Sequence, residues 1–234
     1  MLRLQQHMTN LTQSQTTLTI VAFGDSITEA GHQKPDDRWP ELVRLALQKH
    51  FTGIGIKVVN SGVGGNTSRE GLARFDRDVL PHHPQFVLFE FGNDQTSEPA
   101  RHVPVAEFRQ NLELILTRVA EECGAIAIPM TFPPIIDSCT PHSQTPFYVQ
   151  QGGPDKSQNL YREATRQLAL ARTCPLVDID STLRQDIEQQ GTGSCILPDG
   201  VHLTAHGNEL VAAAVLNVLL PLIETVQAAS HSNR

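Results

Sequence analysis

Short apolar runs alternate with stretches of helical periodicity along this chain, and that alternation restricts the folds open to it. Strands are expected over residues 18–22, 54–59, 85–91, 125–130 and 175–179. In the third, Phe86-Val87-Leu88-Phe89 is apolar without a break, as in a strand covered on both faces. Between the strands, apolar residues recur at three- and four-residue spacing. One stripe is Trp39, Leu42, Val43 and Ala46, with Pro40 suited to the first helical turn; another is Leu72, Phe75 and Val79. A third is Val105, Phe108, Leu112, Ile115, Leu116 and Val119, and the last is Leu210, Val211, Ala214, Val215, Val218 and Leu219. Further helices are expected over 155–172 and near 183–189. Strand followed by helix, five times, predicts an α/β fold: a flavodoxin-like three-layer sandwich on a mainly parallel five-stranded sheet.

Such sheets bind their ligands outside the carboxyl ends of the strands. The first strand ends there in Gly24-Asp25-Ser26, with a glycine to permit a tight turn. A serine so placed becomes a nucleophile when a base is near. The same string, read alone, is also a strand leading into a helix capped by Ser26 or Thr28. Far downstream, Asp199-Gly200-Val201-His202 sets a carboxylate three residues before an imidazole. Asp199 within one turn of His202 can accept from Nδ1, fixing the tautomer that leaves Nε2 free to take a proton from Ser26. Two loops bearing glycine and asparagine, at 60–67 and 91–94, supply candidate oxyanion donors at the same end. The Gly-x-Ser-x-Gly pattern of α/β-hydrolases is absent, since Thr28 stands where its second glycine would be.

These four blocks, in this order, resemble the SGNH hydrolases, also called the GDSL lipase/esterase family. The resemblance runs from about residue 18 to the last helix. It implies a serine esterase with Ser26 as nucleophile and Asp199 and His202 completing the triad. It further implies an oxyanion hole of the Ser26 N–H, the Gly65 N–H and the Asn93 side chain. Gly65 carries the glycine role because the register from Val58 through Thr67 to Arg74 matches the family best there. The third block departs from the family: Phe91 stands where glycine is usual, unless Glu90-Phe91-Gly92 is kept in register and one residue is missing before Asn93. The resemblance implies no cofactor and no metal. For substrate it points to acyl esters, with short or acetyl chains first. A carbohydrate O-acetyl esterase or a thioesterase/lysophospholipase is the alternative within the family, and a non-catalytic binding module the alternative outside it.

Between the fourth strand and the next helix, residues 131–153 have no clear period and four prolines. A long irregular stretch in a compact domain is usually functional. Its aromatic residues Phe132, Phe147 and Tyr148 are therefore expected to wall the substrate site, or else to pack on one another. The chain divides into a polar leader (1–17), one catalytic domain (18–229) and a short tail (230–234). The leader lacks an apolar signal region, which favours the cytoplasm, although a mature secreted form would read alike.

Eighteen basic and 25 acidic side chains leave a net formal charge of −7, which argues against nucleic acid as a partner. No run reaches the roughly 18 apolar residues of a membrane span. Cys123, Cys139, Cys174 and Cys195 have no metal-ligand spacing, and His82-His83 lacks a third ligand, so no metal site is expected. The partner expected is a small-molecule ester; oligomeric state has no signature here.

Overall fold

The computed structural model describes residues 17–231, with side chains to 225. The leader, apart from Thr17, and the last three residues of the tail lie outside the described residues. Four strands form one wholly parallel sheet: β1 (Thr17–Gly24), β2 (Gly55–Gly62), β3 (Phe86–Glu90) and β4 (Ile126–Pro129), in the order β2-β1-β3-β4. Among the described residues, eight α-helices accompany them: α1 (Ser26–Glu29), α2 (Trp39–His50), α3 (Ser68–Asp78), α4 (Val105–Glu122), α5 (Pro146–Gln151), α6 (Pro154–Arg172), α7 (Ile179–Gln190) and α8 (Ala205–His231).

The expected fifth strand does not form. Residues 175–179 give only a single parallel bridge, Val177 to Met130, closed by Thr131 N–H to Val177 O and Val177 N–H to Pro129 O. Pro175 has no N–H to offer a ladder. Asp178 already caps α7 by accepting from the Ser181 N–H, so helix begins where strand should lengthen. The other departure lies in the irregular stretch, which contains α5: Pro146 opens it and Gly152, at φ 81°, closes it.

The sheet is buried on both faces because alternate residues of its strands face two apolar clusters. Ile20, Ala22, Phe86, Leu88 and Ile128 meet α2, α7 and α8; Val21, Phe23, Val87, Phe89 and Ala127 meet α3, α4 and α6. Trp39 is fully buried in the first cluster, and its Nε1 donates to Ile27 O at 3.0 Å, tying α2 to the turn that carries Ser26. Within α8, Ala205–Thr225 is long and apolar enough to cross a membrane by length and composition. Here it serves as a core helix, with Val211, Val215, Leu219 and Ile223 buried against the sheet layer.

Candidate active site

Ser26 is the first residue of α1, directly after β1. Asp25 is the helix cap, in place of the expected Ser26 or Thr28: its Oδ1 accepts from the Ile27 N–H at 2.9 Å. A first-turn N–H has no partner within its own helix, and among the described residues the Ser26 N–H has no acceptor. The side chain is half-buried, and its Oγ lies 3.0 Å from His202 Nε2.

His202 and Asp199 share a tight loop closed by the Ile196–Leu203 bridge and by Leu197 N–H to His202 O at 2.7 Å. Gly200 turns it at φ 78°, where a Cβ would also fall 2.6 Å from Ile136 O. Asp199 Oδ1 accepts from the Val201 and His202 N–H groups, and Oδ2 lies 2.7 Å from His202 Nδ1. Burial alone would raise the Asp199 carboxyl, but the two N–H bonds and the imidazole outweigh it and hold it below its usual range. A carboxylate can only accept, so Nδ1 carries the proton and Nε2 is left as acceptor for the Ser26 hydroxyl. The structure thus brings the three expected residues into one relay across 176 residues of sequence.

The glycine loop after β2 passes beside Ser26: a Cβ on Gly64 would stand 3.8 Å from Ser26 Cβ. Gly65 follows at φ 76°, and among the described residues its N–H has no acceptor. Arg101 donates to Gly65 O and so holds the next peptide of the loop. Arg74 ties this loop to the sheet. Its guanidinium donates to Gly24 O, Ser61 O and Asn66 Oδ1, and pairs with Asp78.

Asn93 opens a 3-10 turn after β3. Its Nδ2 donates to Asp25 Oδ2 at 2.9 Å, which holds the amide beside the Ser26 turn and leaves its second N–H free to donate. Asp94 faces away, toward α3, where it accepts from the N–H and hydroxyl of Ser68. Phe91, in the place of the usual glycine, is 3% exposed. Its ring fills the space left by Gly71 of α3, whose Cβ would lie 2.3 Å from it, and meets Phe23 edge-on at 5.4 Å.

Of the expected wall residues, Phe147 and Tyr148 pack on one another edge-on at 5.0 Å, and Phe132 stands apart from them. Phe132 is buried with its ring over Gly92, and Tyr148 is buried with its hydroxyl on Gln95 O. Phe147 keeps partial exposure and meets the His102 ring at 5.4 Å. The depression at Ser26 and His202 is lined instead by Ile27, Ala30, His32, Gln33, Leu203 and Asn208. Among the described residues, His32, Asp199 and His202 are grouped closely enough to hold a metal ion, and two of them belong to the relay. All four cysteines are free.

Residues 20–215 match the GDSL-like lipase/acylhydrolase family. This chain belongs to that family. It is therefore a GDSL-type carboxylic ester hydrolase. An acetylxylan esterase of Geobacillus stearothermophilus is 24% identical over 216 residues, which are 84% of this chain and 91% of that protein. An arylesterase of Vibrio mimicus is 31% identical over 118 residues, 50% of this chain and 56% of the other. The crystal structure of a lipase/acylhydrolase from Enterococcus faecalis superposes with a TM-score of 0.68 at 27% identity, covering 86% of this chain and 94% of that one.

The sequence pattern does not single out Asp25, which caps the Ser26 helix and holds the Asn93 amide, or Glu90, which accepts from Thr28 and the Asp25 N–H. Asp25 was in view within Gly-Asp-Ser. Glu90 left a plainer trace: a carboxyl at the end of an otherwise apolar buried strand.

Proposed function

We propose that this protein hydrolyses short-chain acyl esters through an acyl-enzyme on Ser26. The observation that carries this reading is the Ser26–His202–Asp199 relay at the carboxyl end of β1. Ser26 Oγ attacks the ester carbonyl carbon while its proton passes to His202 Nε2. Asp199 keeps the ring in the accepting tautomer and stabilises the imidazolium. Negative charge on the carbonyl oxygen is met by the Ser26 N–H, the Gly65 N–H and the free N–H of Asn93. Collapse of the tetrahedral adduct breaks the ester C–O bond, and His202 returns the proton to the leaving alcohol. Water then attacks the acyl-enzyme with His202 again as base, releasing the acid and restoring Ser26.

A small acyl group suits the shallow depression beside Ser26, with Ile27, Ala30 and Leu203 as its apolar lining. Phe147, the one expected aromatic with exposed surface, is our candidate to meet the alcohol part or a longer chain. A carbohydrate O-acetyl ester is the second reading, favoured by the near full-length similarity to the acetylxylan esterase. Turnover of p-nitrophenyl acetate, inactivation by a serine-directed organophosphate, and loss of both in Ser26→Ala test the reaction class. Acetylated xylo-oligosaccharides assayed beside simple acetyl and butyryl esters separate the two substrates. A folded protein that turns over none of these and takes no organophosphate label would leave only the non-catalytic binding module.

A further inference from the structure

Glu90 ends β3 in register with Gly24, and only 1% of it is exposed. Its Oε1 accepts from Thr28 Oγ1 at 2.6 Å and from the Asp25 N–H at 3.3 Å. The approach is close: a Cβ on Gly24 would lie 2.5 Å from Oε1. No donor among the described residues reaches the buried Oε2. The Glu90 carboxyl lies against Asp25, from whose N–H it accepts, and the Asp25 side chain is itself fully buried.

Two carboxyl groups in contact and away from water do not both ionise. No cation among the described residues pairs with either. The buried guanidiniums at this end of the sheet are occupied: Arg74 by Gly24 O, Ser61 O, Asn66 and Asp78, and Arg162 by Phe132 O, Pro133 O, Asp155 and Asp180. His202 and Asp94 are the other titratable groups whose charge couples to Asp25: an imidazolium at His202 favours the Asp25 carboxylate, and the Asp25 charge raises Asp94. Burial raises the Asp25 carboxyl as well, but Asp25 accepts three N–H bonds, from Ile27, Gly92 and Asn93, so of the two it is the ionised member. The proton falls to Glu90, whose carboxyl is pushed well above its ordinary range by burial first and by the Asp25 charge second.

We propose that Glu90 is a positioning residue for the oxyanion hole: as a neutral acid it donates to Asp25 and locks the carboxylate that holds the Gly92 N–H and the Asn93 amide beside Ser26. This rests on the reading of Asn93 as an oxyanion donor. Glu90 touches no reacting atom; it acts through Asp25. A neutral group is needed there because it must both donate to Asp25 and accept from Thr28.

Glu90→Gln keeps both abilities, since a carboxamide donates through Nε2 and accepts through Oε1. Glu90→Leu keeps bulk and loses both. With a p-nitrophenyl acetate assay at neutral pH, Glu90→Gln is expected to hold kcat within about 3-fold of wild type. Glu90→Leu is expected to lose about 10- to 100-fold in kcat with little change in KM, less than outright loss of an oxyanion donor. Raising the pH should depress wild-type kcat as Glu90 ionises, while Glu90→Gln stays flat over the same range. A second readout needs no turnover: at pH 8, where Asp94 is mostly ionised, the infrared spectrum of wild type should contain a protonated-carboxyl stretch that Glu90→Gln lacks. Failure of wild type to cleave any ester would sink the catalytic reading while this band still decides the state of Glu90. Identical carboxyl bands in the two proteins, equal losses in Glu90→Gln and Glu90→Leu, or wild-type kcat in Glu90→Leu would each overturn the proposal. If Glu90→Leu does not fold, the alkaline profile of Glu90→Gln and the infrared band decide it.

Discussion

The two flanks of Ser26 are built differently. On the relay side, the His202 side chain is 23% exposed and that of Asp199 is 40%, and both hang from one short loop. On the donor side, Asp25, Glu90 and Asp94 are at most 1% exposed and cross-link three elements: the Ser26 turn, the end of β3 and the start of α3. The difference follows from the work each flank does. The relay passes a proton out and admits a water molecule, so it must reach solvent. The donors must already point at the oxyanion before charge develops, because reorganisation during the reaction would cost rate. Substitutions on the relay flank should therefore cost rate and spare stability, and those on the donor flank should cost both.

The largest effect belongs to the relay. Ser26→Ala and His202→Ala should each lower kcat by on the order of 10⁶, as in serine hydrolases whose triad acts as one unit. Asp199→Asn should lose on the order of 10⁴ by relaxing the tautomer. All three should unfold at the wild-type denaturant midpoint. A large drop in that midpoint for Ser26→Ala would break the comparison, since the relay would then be holding the fold. On the other flank, Asn93→Ala should cost about 10²–10³ in kcat with little change in KM, because its bond forms mainly in the transition state. Normal kcat in this variant would remove Asn93 from the hole and leave the Ser26 and Gly65 N–H groups.

The relay flank was legible in the sequence for a physical reason. Asp199 and His202 are three residues apart, so local geometry alone pairs them, and Ser26 follows closely on a strand that can hardly be misread. The donor flank was legible only in outline. Asn93 could be named, but its holder could not: Glu90 reaches Asp25 through the β1–β3 register, which no local pattern encodes. The fifth strand was overcalled because the apolar run hid Pro175 and the Asp178 cap. Helix α5 was missed although Pro146 and Gly152 mark its ends, since six residues are too few to display a period.

Packing around the departure in the third block gives a stability effect of middle size. Phe91 can replace glycine because Gly71 of α3 makes room for its ring. Gly71→Ala drives a methyl group into that ring and should cost about 1–3 kcal/mol by chemical denaturation. Phe91→Leu combined with Gly71→Ala should recover part of it. Absence of recovery would mean that the two sites are not coupled and that Phe91 is tolerated for another reason.

The smallest effect sharpens the comparison through pH. Burial pushes the Asp94 carboxyl up to about 7, against the opposing pull of its bonds from Ser68. Unfolding returns it to the ordinary carboxylate range near 4, so between those values the folded protein holds a proton that the unfolded chain releases. By linkage, stability falls as pH rises through that window, and the loss is complete above about 7. Asp94→Asn keeps the shape and cannot ionise. Its amide oxygen can take the Ser68 N–H, but its NH2 then faces the Ser68 hydroxyl that donated to Asp94, which gives a fixed penalty independent of pH. The quantity to read is therefore the slope. Measured by urea unfolding at pH 5 and pH 8, Asp94→Asn should gain on wild type at the higher pH, whatever its offset. A parallel pair of stability curves would mean that Asp94 stays ionised throughout, held by Ser68 and the N-terminal end of α3. The donor flank would then carry its charge at no cost above pH 5, and its burial would owe more to the α3 terminus than to a shared proton.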